Sequence, residues 1–293
     1  MAVDQCTLAS LELVQSSEGS RKNSLLDLLD LSETSMGARR IREWILKPLI
    51  DAERIQKRLS IVKDFKDNPT ERKYTRDLLR NIFDLERLLG RISLSACNAR
   101  DLIALKTSLE VFPGLFKTLK DYGSIAIHAY IENWDNLNNI YNLIDQNITD
   151  NPPLSLKEGN LIKPDRNEEL DRLKKITRQG KSWIASLELE EKEKTGIPAL
   201  KVGFNKIYGY YIEVTKKHCD NVPAEYIRKQ SLVNAERYIS PKLKEYEEEI
   251  TGAEEKIFSI EQKLFEEIRK KVSLAGSRIQ AMSRIISEID ALA

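Results

Sequence analysis

Candidate residues for contacting phosphate groups lie in one segment of the chain, residues 199–239. Residues 199–238 hold seven Lys or Arg and four Asp or Glu, a net charge of +3, whereas the whole chain of 293 residues carries +1. Lys, Arg, Asn, Ser and backbone N–H groups position a nucleic acid through its phosphates. The candidates, chosen for type and for closeness to predicted turns, are Asn205, Lys206, Arg228, Lys229, Ser231 and Asn234. A solvated small sheet with an ordinary scatter of Lys is the alternative interpretation.

Three tyrosines in the same segment, Tyr208, Tyr210 and Tyr211, admit two interpretations. Unpaired bases stack on aromatic side chains, and tyrosines also pack the faces of small sheets. Tyr210, Ile212 and Val214 alternate onto one face of a predicted strand, and Tyr211 lies on the other. We expect the packing role.

No catalytic or metal-binding pattern is present in the sequence. The only two histidines, His128 and His218, have no nearby Cys or Ser in an interpretable arrangement, and the three cysteines lack zinc spacing. Gly180-Lys181-Ser182 resembles the end of a phosphate-binding loop, but Lys175 occupies the position of its first glycine and the segment lies mid-helix. We therefore expect no enzyme activity and no cofactor in this chain.

The overall composition gives broad limits. A chain of 293 residues suggests about two domains. Its 47 Lys and Arg nearly balance 46 Asp and Glu, so any basic surface must be local. Widely separated cysteines are typical of a reduced cytosolic protein. We expect no membrane span and no secretory signal, because the sequence has neither a long apolar run nor a basic, then apolar, start.

The elements that must position the candidate residues are mostly helical. Residues 24–140 read as a compact set of helices, and residues 146–166 as a connector. One long helix is predicted from the cap Asn167 to Gly196, and the longest helix follows Ser240 and Pro241. Its apolar residues recur at steps of three and four, with a stutter between Ile260 and Val272.

This order predicts a mainly α protein. The two long helices should pack antiparallel as a lever, with a small antiparallel sheet at its tip. The sheet is drawn from residues 199–214, 225–233 and 234–239, and the first of these runs is a hairpin with its turn at Asn205-Lys206.

Three blocks of this sequence resemble the MutS family of DNA mismatch-recognition proteins. They are LLDLSETSMGARRIREWILKPL, LKVGFNKIYGYYIEVTK and YIRKQSLVNAERYISPKLKEYE, and they occur in the family's order. VDQCTLASLEL near the start is similar to the family's entry into its central domain. The resemblance implies a core and lever in residues 1–180 and 241–293, and a clamp in residues 181–240 that grips the backbone of double-stranded DNA without reading bases.

The resemblance also implies what the chain does not contain. The family's mismatch-binding, connector and ATPase domains have no counterpart here, so the chain is expected to be a fragment, and ATP and Mg belong to the full-length family. Full-length members form dimers and recruit a MutL-type partner, and the expected location is the cytoplasm, at the bacterial nucleoid. Val233 stands where the family often has a basic residue, so Asn234 is carried over and its neighbour is not.

A second function class shares the predicted plan of helix, sheet and helix. A structural protein could use an antiparallel coiled coil with a dimerising hinge, as in chromosome-organising ATPases. A hinge needs an apolar interface on the sheet, whereas a DNA clamp needs a basic rim. The net charge of +3 over residues 199–238 favours the clamp.

Overall fold

A computed structural model describes residues 4–122, 124–205 and 209–293, without the side chains of residues 179–182 and 249. The chain divides into two compact units, Met1–Leu161 with Phe265–Ala293, and Ile162–Leu264. The mainly α fold with one small antiparallel sheet is confirmed. The domain boundaries at residues 180 and 240, which follow from the family resemblance, stay a prediction.

The first unit is built from helices. In chain order these are α1 (Gln5–Ser10), α2 (Leu25–Leu29), α3 (Ser35–Leu46), α4 (Ala52–Asp67), α5 (Pro69–Leu79), α6 (Leu85–Ser93), α7 (Ala99–Asp121), α8 (Ile125–Ile131) and α9 (Asn138–Asn147), with α12 (Gly276–Leu292) near the C-terminus. Helix α7 lies in the middle of the core, because its apolar side chains at steps of three and four, such as Leu105, Leu109 and Phe112, are fully or almost fully buried.

Short-range signals set the helix ends in this unit. The hydroxyl of Thr34 accepts a hydrogen bond from the N–H of Gly37 at 2.9 Å and caps α3, which ends just before Pro48. Helix α4 ends at Asp67, and Pro69 begins α5, since proline fits the first helical position but cannot continue a helix. Contacts within a few residues of Thr34 and of Asn68-Pro69 therefore set these helix ends.

A buried carboxylate joins the last helix of the first unit to the start of α3. Asp290 on α12 is 2 % exposed. Its oxygens accept hydrogen bonds from the backbone N–H groups of Glu33 and Thr34 at 2.9 and 2.8 Å, and from the Thr34 hydroxyl at 2.7 Å. Burial raises the pKa of this carboxyl, and the hydrogen bonds from Glu33 and Thr34 oppose that rise.

The second unit contains two long antiparallel helices, α10 (Glu168–Thr195) and α11 (Pro241–Leu274), the second of which continues into the first unit. Three contacts show the direction: Lys174 pairs with Glu261 at 2.7 Å, Trp183 stacks on Tyr246, and Lys242 pairs with Glu190. From Lys174 to Glu190 the residue numbers increase along α10, while those of their partners on α11 decrease from Glu261 to Lys242. The predicted antiparallel pairing is confirmed.

The caps of these two helices also match the prediction. Asn167 accepts the N–H of Leu170 at 2.9 Å, and Gly196 ends α10 in the left-handed conformation with φ at 65°. Ser240 accepts the N–H of Leu243 at 3.2 Å ahead of Pro241.

The last helical segment differs from the prediction of one continuous helix after Pro241. Helix α11 ends at Leu274, Ala275 leaves helical geometry, and α12 begins at Gly276. A Cβ at Gly276 would lie 3.3 Å from Cδ1 of Leu89 on α6, so the break falls where the backbone packs closely against another helix. Apolar residues recur at helical spacing on both sides of Ala275, so the sequence pattern could not predict the break between α11 and α12.

Candidate nucleic-acid interface

Four strands form the sheet: β1 (Lys201–Asn205), β2 (Gly209–Thr215), β3 (Ile227–Ser231) and β4 (Ala235–Ile239). Their order is β1-β2-β4-β3, and all neighbours are antiparallel. The β-rich runs predicted from the sequence are confirmed. Asn205 is the last residue of β1 and pairs with Gly209, so its predicted place in the turn is wrong, because the ladder extends one residue further. Residues 206–208, including Lys206 and Tyr208, lie outside the described residues.

One face of the sheet packs on the two long helices. Ile212 and Val214 on β2 are buried against Leu187 of α10 and Leu243 of α11, which are buried as well. Because Ile212 faces Tyr238 across the ladder, β4 adds to the same core. Leu, Ile and Val side chains of this size each contribute about 1.5–3 kcal/mol when fully buried, so this core holds the sheet at the end of the helix pair.

The strand order places the two hairpin turns at opposite ends of the sheet. Gly209 begins β2 beside Asn205, whereas Thr215 ends β2 beside Ala235. Six residue steps at about 3.4 Å separate these ends of β2 by ~20 Å. The candidate phosphate contacts among the described residues therefore do not form a single cluster.

Ser231 and Asn234 lie at the end of the sheet with the β3–β4 turn. Arg228 and Lys229 lie further back along β3, where Arg228 pairs with Tyr238 at the level of Ile212 in the middle of β2. Arg228, Lys229, Ser231 and Asn234 are all exposed. Lys229 is the extra residue of a β-bulge, since Arg228 pairs with Tyr238 and Gln230 with Arg237. A bulge bends an edge strand and redirects its side chains, and it is a common feature of binding edges.

Two lysines that the sequence analysis did not select lie at this same end. Lys216 and Lys217 begin a short 3₁₀ segment after β2, and both are exposed. The backbone N–H of Lys216 donates to the carbonyl of Asn234 at 3.2 Å, which joins this segment to the β3–β4 turn. Only the pairing of β2 with β4 brings them together, because Lys216 and Asn234 are far apart in the chain.

The charge at this end is only partly neutralised. Arg228 is 62 % exposed in its side chain and lies 3.5 Å from Glu236, while Tyr238 donates to the same carboxylate. The hydrogen bond from the Tyr238 hydroxyl is the main cause that lowers the pKa of Glu236, and the positive charges of Arg228 and Lys216 lower it further. Within the described residues, Lys216, Lys217 and Lys229 form no ion pair, so three ammonium groups remain available to an anion.

The opposite end of the sheet lies against helix α11. Glu247 accepts a hydrogen bond from the backbone N–H of Tyr210 at 3.2 Å, and a Cβ on Gly209 would lie 2.8 Å from Cδ of Glu247. Asn205 is half-buried at this end. A carboxylate beside the turn makes it less favourable for a phosphate than the β3–β4 end.

The outer face of the sheet is occupied by a network of side chains. The Tyr211 ring covers Gly203, where a Cβ would lie 2.8 Å from the ring, and the Arg237 guanidinium lies 4.1 Å from the ring centroid. Arg237 also donates to Glu213 at 2.9 Å and to Gln230 at 3.0 Å. Arg237, one of the seven basic residues counted above, is therefore satisfied within the sheet.

The tyrosine side chains have packing partners. Tyr210 contacts Phe204 and Tyr246, with ring centroids 4.9 and 6.3 Å away. Tyr211 is covered by Arg237. For these two residues the packing interpretation is confirmed.

Other site types find no support in the described part of the chain. There, no group of three or more His, Cys, Asp or Glu could hold a metal ion, and no helix is long and apolar enough to cross a membrane. The backbone of Gly180-Lys181-Ser182 lies inside α10, as expected, and not in a phosphate-binding loop after a strand.

Comparison with known proteins identifies the family. A model of MutS domain III matches residues 6–293. The DNA mismatch repair protein MutS of Caldanaerobacter subterraneus subsp. tengcongensis is 45% identical over 293 residues, that of Clostridium kluyveri 47% over 294, and that of Halothermothrix orenii 46% over 293. All of this chain is covered, but it spans only 33% to 34% of those relatives. With its helical core, paired long helices and four-stranded sheet, the chain belongs to the MutS family and corresponds to domain III.

Proposed function

We propose that the β3–β4 end of the sheet contacts the backbone of duplex DNA without reading its bases. The observation that carries this proposal is the joining of Lys216 and Lys217 to the turn that holds Asn234, with Lys229 on the bulge of the edge strand that leads into this turn. Ammonium, amide and hydroxyl groups at an exposed end suit phosphate oxygens. The names of the relatives, DNA mismatch repair protein MutS, agree with a DNA partner.

The polar outer face of the sheet argues against the alternative of a dimerising hinge. A hinge would need apolar side chains there, but Tyr211, Glu213, Gln230 and Arg237 occupy this face and satisfy one another. No observation on the described residues favours that second class.

We further propose that α10 and α11 link DNA contact at the sheet to the ATPase domain that the family resemblance implies for the longer protein. On this proposal ATP and Mg act outside this chain. Dimer formation, recruitment of a MutL-type partner and a location at the bacterial nucleoid stay predictions.

The test measures binding of a fluorescent 25-base-pair duplex to the chain by anisotropy at low salt. The variant Lys216→Glu/Lys229→Glu should weaken binding at least tenfold, and its plot of log K against log salt should be shallower by about 2, since each lost phosphate contact contributes about 0.9. A duplex with one mismatch should bind like the matched duplex, because phosphate contacts carry no base information.

Matched variants separate this proposal from general charge effects. Lys63→Glu/Lys73→Glu changes the same charge at exposed positions of α4 and α5 and should bind as the parent does. Lys206→Glu tests the opposite hairpin, and Asn234→Ala tests the polar contact at the β3–β4 turn. If Lys216→Glu/Lys229→Glu binds as tightly as its control, this end is not the DNA contact.

A further inference from the structure

A pocket rich in arginine lies in the first unit. It has a volume of about 310 Å³ and is lined by residues of α3, α4, α12 and the segment after α3. Five basic side chains, Arg40, Lys47, Arg54, Arg58 and Arg284, line it against two carboxylates, Glu43 and Glu288. The lining therefore carries an excess of three positive charges.

Most of these cations are not neutralised. Arg40 donates to Glu43 at 2.6 Å and to the Ser287 hydroxyl at 3.2 Å. Among the described residues, Lys47, Arg54, Arg58 and Arg284 form no ion pair. Like charges that converge without partners raise the free energy of the fold, and an anion in the pocket would relieve that repulsion.

An aromatic side chain holds part of the pocket in a fixed geometry. The guanidinium carbon of Arg58 lies 3.6 Å from the ring centroid of Trp44. Stacking restricts the Arg58 side chain, which also hydrogen-bonds to the Tyr130 hydroxyl, and a guanidinium stacked on a ring can still donate hydrogen bonds from its edge. This is the geometry in which arginine binds a carboxylate or a phosphate.

A larger groove shares part of the pocket's lining. The groove has a volume of about 920 Å³ between α4, α8 and α12, and both cavities share Arg284 and Glu288 in their linings. Ile125, Ala126, Ala129 and Ile285 give the groove an apolar floor, and Ile125 is 88 % exposed. An exposed apolar groove with charged ends is typical of a surface that receives a peptide segment.

The charges of the groove decide which macromolecule fits. Glu53, Asp64 and Glu288 line it, against Lys57 and Arg284. A nucleic acid that placed one phosphate among the arginines would lay its next phosphates beside these carboxylates. A peptide can place an acidic residue in the pocket and an apolar side chain in the groove without that repulsion.

We propose that this surface binds a segment of a separate protein that carries a large apolar side chain next to one or more carboxylates. The apolar side chain lies on Ile125 and Ala129, and the carboxylates bind Arg54, Arg58 and Arg284.

The probe for the test is a displayed library of random 12-residue peptides, selected on the full chain of 293 residues. Selected peptides should combine Asp or Glu with Leu, Ile, Phe or Trp. Among the indole N–H signals of the three tryptophans, Trp44, Trp134 and Trp183, a bound peptide should move that of Trp44.

Two variants at exposed positions test the two halves of the surface. Arg54→Glu/Arg284→Glu should weaken selected peptides at least tenfold, and Ala129→Trp should weaken them by filling the groove. Lys63→Glu/Lys73→Glu, with the same change of charge, should leave affinity unchanged. Circular dichroism melts confirm that each variant is folded.

Several results would overturn the proposal. One is the absence of any enriched acidic and apolar motif, and another is equal binding to Arg54→Glu/Arg284→Glu. Binding of a 12-base-pair DNA that depends on Arg54 and Arg284 would assign the pocket to nucleic acid instead. Self-association of the chain that the same variant abolishes, seen by sedimentation velocity, would assign it to a second copy.

Discussion

Replacing Gly37 with alanine tests whether the buried carboxylate of Asp290 anchors the start of α3. Alanine in a helix usually stabilises a protein by about 0.5–1 kcal/mol relative to glycine, because it loses less backbone entropy on folding. At Gly37, however, the added Cβ would lie 2.7 Å from Cγ of Asp290 and closer still to its Oδ2. We expect destabilisation in place of the usual gain.

The size of the effect follows from the hydrogen bonds that must break. Oδ2 of Asp290 accepts the N–H of Thr34 at 2.8 Å and its hydroxyl at 2.7 Å, and we expect it to lose both bonds when it moves away from a new methyl group. Hydrogen bonds to a charged group contribute about 1.5–3 kcal/mol each, so two lost bonds cost about 3–6 kcal/mol. After the gain in helix propensity, the net loss is about 2–5 kcal/mol.

Urea unfolding followed by circular dichroism measures this loss. With a slope of about 2 kcal/mol per molar urea, the midpoint should fall by about 1–2.5 M. Gly90→Ala on α6 is the matched control, since a Cβ there meets nothing within 4 Å, and it should raise the midpoint slightly.

A double-mutant cycle identifies the cause. In an Asp290→Ala background the carboxylate is gone, so Gly37→Ala should cost little or nothing. The reasoning is refuted if Gly37→Ala is as stable as the parent, or if its cost is unchanged without the carboxylate.

Three further outcomes are expected. The purified chain should not hydrolyse ATP above background, and turnover that titrates with the protein through rigorous purification would contradict this. Tyr226→Phe should lower unfolding free energy by about 2–4 kcal/mol, because the Tyr226 hydroxyl donates to Glu191, which is 3 % exposed; Tyr74→Phe at an exposed site is the control, and equal midpoints in urea would exclude the effect. Burial, with Asp101 nearby, raises the pKa of Cys97 to about 11, so at pH 8 a thiol reagent should label exposed Cys6 far faster than Cys97. The labelling rate of Cys97 should keep rising with pH until about pH 11, because the thiolate is the reactive form. Equal labelling by mass spectrometry would show that Cys97 is accessible.

Local signals were sufficient to predict most elements of this fold. Asn167, Gly196 and the Ser240-Pro241 pair act through hydrogen bonds or backbone geometry within a few residues, so the sequence alone placed the ends of the long helices. The alternation of Tyr210, Ile212 and Val214 predicted the buried face of β2 for the same reason.

Features that join distant parts of the chain were not predictable in this way. The sequence could not show the break at Ala275, because apolar spacing continues through it and the close packing of Gly276 on Leu89 decides it. The anchoring of Glu33 and Thr34 by Asp290 depends on two helices at opposite ends of the chain.

The candidate DNA contact shows the same division. The sequence by itself determined that a basic, turn-rich sheet stands between two long helices, since composition and periodicity are local properties. Only the tertiary structure decided which of its polar residues lie together. The non-local pairing of β2 with β4 places Lys216 beside Asn234 and separates both from Asn205 by the length of a strand. It also places Arg237 opposite Glu213, so that the Arg237 guanidinium forms its hydrogen bonds within the sheet.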